Sequence, residues 1–239
     1  MKKFLSAAAA VGALFGASAA VSTAHADVAY SGNIALATDY AFRGISQTDE
    51  NPAVQGGFDV TMGQFYAGTW ASNINFGSGG ANAEIDLYAG FKPTLGPVAL
   101  DIGAIGYFYP AAADDAPAGE LDFYELYVKP SISPMEGLTL GAALYYSPEF
   151  QTEVGDTFYY EANAAFAVSD LVSVSGAVGH QTETDVAGFF GGEDSYTTWN
   201  VGGTLSVKGF GLDLRYVGTD VDNVAAFDDR VIFSIKRAL

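Results

Sequence analysis

From Ser31 onward the chain alternates apolar and polar side chains with a period of two. That period marks extended strands with two unlike faces, and no later segment repeats at helical spacing. In the first stretch Ile34, Leu36, Thr38, Tyr40 and Phe42 lie opposite Asn33, Ala35, Ala37, Asp39, Ala41 and Arg43. In the second, Val54, Phe58, Val60 and Met62 oppose Gln55, Asp59 and Thr61. The third sets Tyr66, Trp70, Ile74 and Phe76 against Thr69, Asn73 and Asn75. The fourth sets Ile85, Leu87 and Phe91 against Glu84, Asp86 and Lys92. Eight further segments continue the pattern, and their polar faces carry Asp101, Glu125, Lys129, Glu161, Asp213 and Arg215. Twelve strands are predicted, most near the roughly 9–11 residues that cross a bilayer at a tilt.

The connections sort themselves into two kinds. Long ones at 44–52, 77–82, 110–120, 147–156, 181–195 and 219–228 alternate with short ones at 63–64, 93–97, 133–137, 169–170 and 208–209. A transmembrane barrel has short turns at one end and long loops at the other, whereas a secreted sandwich has no reason to sort its loops. In hydrocarbon an unpaired backbone group costs several kcal/mol, so such a sheet closes on itself. Aromatics on the apolar faces cluster near strand ends, as interfacial girdles do. Tyr40, Phe42, Phe108, Tyr124, Tyr146, Phe158, Tyr160, Trp199 and Tyr216 mark one end, and Tyr66, Phe91, Phe166 and Phe210 the other. The expected fold is all-β: a transmembrane antiparallel up-and-down β-barrel of twelve strands.

Composition locates the barrel. Lys2 and Lys3, an apolar run from Phe4 to Ala20, and the small-x-small site Ala24-His25-Ala26 predict a cleaved signal peptide over 1–26. Residues 27–239 then form the barrel domain, in the outer membrane of a Gram-negative cell. No cysteine occurs, which excludes a disulfide scaffold and Cys-ligated metal sites. The net charge of −18 argues against nucleic acid as a partner. No cofactor is expected. Fifteen of the 28 acidic residues fall in the six long connections, which hold no Lys or Arg. The expected partners are outer-membrane lipids and lipopolysaccharide, with the barrel-assembly machinery receiving the C-terminal strand. That strand alternates Val231, Phe233, Ile235 and Leu239, with Arg237 interrupting its apolar face.

Four stretches carry a family resemblance. Asp39-Tyr40-Ala41-Phe42-Arg43-Gly44-Ile45-Ser46-Gln47-Thr48 is followed by Asn51-Pro52-Ala53-Val54-Gln55-Gly56-Gly57-Phe58-Asp59. With Phe65-Tyr66-Ala67-Gly68-Thr69-Trp70-Ala71-Ser72-Asn73 and Glu84-Ile85-Asp86-Leu87-Tyr88, they resemble the TorF family of porins. The resemblance implies an outer-membrane channel and supplies no catalytic motif.

The inward polar residues are the candidate solute path: Asp39, Arg43, Asp59, Glu84, Asp86, Lys92, Asp101, Glu125, Lys129, Glu161, Asp213 and Arg215. Acids outnumber bases among them, so a narrow, cation-favouring pore is expected, because like charges select the opposite ion. The alternative is a non-conducting structural or surface-interaction barrel whose charges pair across a filled lumen. Asp220, Asp222, Asp228 and Asp229 are the best candidates for divalent cations at the outer loops, being hard oxygen donors without the spacing of an EF-hand. An outer-membrane lipid hydrolase is a remote alternative. His180 is the one histidine of the mature chain, but no G-x-S-x-G accompanies it. The chain is expected not to be an enzyme.

Overall fold

The computed structural model describes residues 28–77, 80–110, 121–183 and 186–239. The expected signal segment lies outside these residues, as do Asp114, Asp115, Glu120 and Asp185 of the long connections. Among the described residues, twelve strands carry the alternation. They are β1 (Val28–Ala37), β2 (Ala53–Met62), β3 (Phe65–Asn73) and β4 (Ala83–Phe91). Then come β5 (Val98–Phe108), β6 (Phe123–Met135), β7 (Leu138–Ser147) and β8 (Thr157–Ala167). The last four are β9 (Val172–Glu183), β10 (Ser195–Val207), β11 (Phe210–Thr219) and β12 (Arg230–Ala238). Each pairs antiparallel with its sequence neighbours, and β12 returns to β1 from Asn33↔Ala238 to Ala37↔Ser234. The sheet therefore has no free edge and forms a closed barrel. Two single turns of 3-10 helix, Gln151–Glu153 and Ala225–Phe227, lie in the long connections.

Polarity is reversed relative to a soluble protein. Leu36, Leu87, Val201, Leu214 and Val231 point outward and are more than half exposed. Tyr88, Glu125, Tyr196 and Arg215 point inward and are at most 4% exposed. The inward tyrosines fit because glycine stands beside them on the next strand. Tyr66 is registered with Gly90, Tyr88 with Gly68, and Tyr127 with Gly103. A Cβ on any of these glycines would fall within 2.7 Å of the facing tyrosine ring. The high glycine content thus makes room for aromatic bulk against the inner wall. At the turn end, Arg237 points outward and lies 4.7 Å over the Phe210 ring, which covers its charge from one side.

Two expectations are corrected. The faces of the third strand are inverted. Its register sets Gly68 opposite inward Asp59, so Tyr66 and Trp70 point inward, while Phe65 is exposed and packs on Phe91. Beyond β3, Ile74 is buried, and Phe76 packs on Tyr109. The second correction concerns 38–43. The first strand ends at Ala37, and the chain then turns into the lumen. Ala41–Phe42 and Ile45–Ser46 form a miniature hairpin, so Tyr40 and Phe42 leave the outer girdle for the interior. Its two central residues, Arg43 and Gly44, have φ of 48° and 88°. Positive φ at both places is the mark of a type I′ turn, whose twist matches tight antiparallel pairing.

Candidate functional site

The inward hairpin reaches the wall on several sides near the end that carries the long connections. Asp39 is its root. Its carboxylate accepts from Ser46 Oγ at 2.8 Å, from Thr48 Oγ1 at 2.6 Å and from Arg230 on β12 at 3.1 Å. Arg230 also donates to the backbone carbonyls of Ala225, Ala226 and Asp228, tying the last loop to the hairpin. Tyr40 donates to Glu84 on β4 at 2.7 Å, and its ring meets Trp70 edge-on at 5.2 Å. At the turn, Gly44 fits against β10 and β11, where a Cβ would lie 2.5 Å from both Thr198 Oγ1 and Thr219 Cγ2. Only glycine tolerates both that approach and its φ.

Arg43, at the hairpin tip, crosses the lumen. Its guanidinium donates to both oxygens of Glu125 on β6, at 2.8 and 2.7 Å, and to Gln181 Oε1 on β9 at 2.8 Å. The rings of Tyr159, Phe42 and Tyr145 lie 4.3, 4.7 and 4.9 Å from its centre. Both partners of the ion pair are buried, at 6% and 1% exposed side chain. Tyr107 donates to the same carboxylate at 3.0 Å. A two-point, desolvated guanidinium–carboxylate contact is among the strongest polar contacts a side chain makes. It is costly to break from one side, because the other charge stays buried.

Other predicted path residues form four groups. Lys129 and Lys92 reach Asp101 at 3.3 and 3.9 Å, and Tyr66 donates to the same acid. Arg215 pairs with Asp213 and donates to Asn200 at 2.7 Å and to Ser175 at 2.9 Å. Asp59 accepts from Tyr88, and Glu161 from Tyr159 and Asn163. Asp86, two residues from Glu84 on the inward face of β4, is buried and has one carboxylate oxygen without a hydrogen-bond partner. The acidic surplus thus gathers near the loop end, at Glu84, Asp86 and Glu125. Toward the turn end lie Lys92, Lys129 and Lys236.

The hairpin itself, with Gln181 as acceptor at its tip and Arg230 as partner of its root Asp39, was absent from the sequence-derived site. The available signal was Arg43-Gly44, a turn pair flanked by two short extended pairs, inside a stretch whose alternation looked like continuing strand. The proposed cation cluster does not assemble. Asp220 accepts from the Thr197 backbone at 2.7 Å and Asp229 from the Tyr216 hydroxyl. Among the described residues no group of three or more acidic or histidine side chains is placed to hold a metal ion. His180 faces outward beside the Thr197 hydroxyl, 3.3 Å away.

Outside the hairpin, the loop end opens into a cavity of about 390 Å³. Its wall is largely aromatic, including Phe42, Tyr109, Phe123, Phe150, Phe190 and Tyr196. Asp49, Gln47 and Asn75 are among its polar members, and no basic residue is among its lining.

The family described as "Bacterial protein of unknown function (Gcw_chp)" matches residues 21–238. No curated protein matches the chain in sequence. Among solved structures, the barrel is similar to the KdgM porin in complex with disordered oligogalacturonate. Identity is 9% and the TM-score 0.58, over 87% of this chain and 97% of that one. It is also similar to the NanC porin, with 12% identity and a TM-score of 0.54, over 88% of this chain and 98% of that one.

Proposed function

The chain belongs to the Gcw_chp family of bacterial proteins of unknown function, and from that premise we propose that it is an outer-membrane porin. It passes small hydrophilic solutes or ions, and favours cations at its loop-end mouth. The observation that carries this reading is the reversal of polarity across one closed sheet. The outward face exposes large apolar side chains on strand after strand, far beyond the patches usual on soluble monomers. The inward face carries charged and hydroxyl groups from the hairpin to the turns. Hydrocarbon suits the first face, and a hydrated path suits the second.

The resemblance to the TorF porins and the likeness of fold to two solved porins support the same reading. The lumen chemistry argues for a solute other than a polyanion. Near the loop end the inner wall carries Glu84, Asp86 and Glu125, of which only Glu125 is paired with the hairpin guanidinium, so acidic groups outnumber basic ones on an anion's way in. The acidic long connections extend that field outward and meet lipopolysaccharide at the cell surface. Efflux of a small uncharged sugar from liposomes holding the folded barrel tests the reading. Release above protein-free liposomes is expected. Retention of the sugar, with folding verified by the heat-dependent gel shift of a barrel, would contradict it.

One observation favours the second reading, a non-conducting structural barrel. The hairpin is fastened to β4, β6, β9 and β12 at once. If it fills the cross-section, removing it creates conductance that the intact protein lacks.

A further inference from the structure

Arg43 occupies a seat that is more complete than a plain ion pair. Glu125 supplies two acceptors to the two terminal nitrogens of the guanidinium, and Gln181 supplies a third. Aromatic faces from Tyr145 and Tyr159 cover it. This set matches a flat, delocalised cation with several forked donors, and not a compact metal ion, which takes six to eight oxygens. One acceptor nearby is also spare, because Asp86 keeps one buried carboxylate oxygen unpartnered. Asp86 is registered opposite Tyr107, the residue that donates to Glu125, which puts it one strand away from the seat. On the loop side, the aromatic cavity shares Phe42 with the seat and is open to a cation that prefers ring faces.

We propose that Glu125, Gln181, Tyr145 and Tyr159, with Asp86 nearby, form a binding site for guanidinium-bearing organic cations, which Arg43 fills as a tethered stand-in. A solute carrying this group competes with Arg43 for Glu125 and passes the hairpin by exchange. The hairpin stays rooted through Asp39 and Gly44 while only the Arg43 side chain swings away. This deepens the porin reading and rests on it for transport. The site itself does not depend on conduction.

The test is calorimetry on the folded barrel in detergent, with agmatine as probe and sodium chloride as control. Arg43→Ala vacates the seat. Apparent affinity falls with the fraction of sites that are free, so a seat mostly filled by Arg43 implies agmatine binding at least about tenfold tighter in the variant. Adding Glu125→Gln to it removes that gain. Arg43→Gln serves as a second vacated form. Equal binding by wild type and either folded variant overturns the site, as does a gain that survives Glu125→Gln. If neither variant folds, the wild type decides. Saturable agmatine binding that sodium does not displace supports the site, and its absence overturns it. Binding without solute flux leaves the site standing and sinks the porin reading. Flux without binding does the reverse.

Discussion

At the scale of single residues, the hairpin depends on three positions with different physics. Asp39 gathers two hydroxyls and a guanidinium. Asp39→Ala leaves Arg230 with only its carbonyl partners. The loss is expected near the low end of the range for a broken buried pair, about 3 kcal/mol, read from the urea midpoint of unfolding. Gly44 is held by shape. Gly44→Ala places a methyl group against Thr198 and Thr219 at a φ that favours glycine, so the tip must lift. Trypsin reports this directly. The bond after Arg43 is expected to resist cleavage in the folded wild type and to be cut in Gly44→Ala. Resistance in both proteins would contradict the tight seating. Arg43 was legible in the sequence as an inward charge. Its partner was not, because Glu125 is 82 positions away and only barrel closure brings the two together.

At the scale of elements, alternation carried most strands to the correct face. It failed where aromatic residues have two homes. Tyr66 reads as a girdle residue and Trp70 as its neighbour on the apolar face, opposite Thr69 and Asn73, although a filled lumen takes aromatic rings equally well. Hydrophobicity alone does not separate these cases. The facing strand does, since Asp59 stands opposite Gly68 and sets the parity of β3. The hairpin misled for a related reason. It is itself extended, so the period of two runs on through Tyr40 and Phe42 after the barrel strand has ended. With no native cysteine, β3 can be tested by labelling. Phe65→Cys is expected to react with a bilayer-soluble maleimide and Tyr66→Cys is not. The opposite pattern would restore the sequence-derived faces.

At the scale of the whole molecule, closure turns the odd composition into an arrangement. Apolar excess is outward and paired charge is inward, while most of the acid is in the long connections. How many strands there are, how the loops sort and where the acid lies were all readable from one chain. The inward hairpin was not, because it follows from contacts made only once the sheet has closed. The central claim is that the inner face is a solute path narrowed by this hairpin. Single-channel recording in a planar bilayer under a potassium chloride gradient tests it most directly, on the wild type and on a variant with 39–48 replaced by a short glycine-serine turn. The account predicts small, cation-favouring steps for the wild type and severalfold larger, less selective steps for the variant. Silence from both folded barrels, or identical conductance in the two, would contradict it.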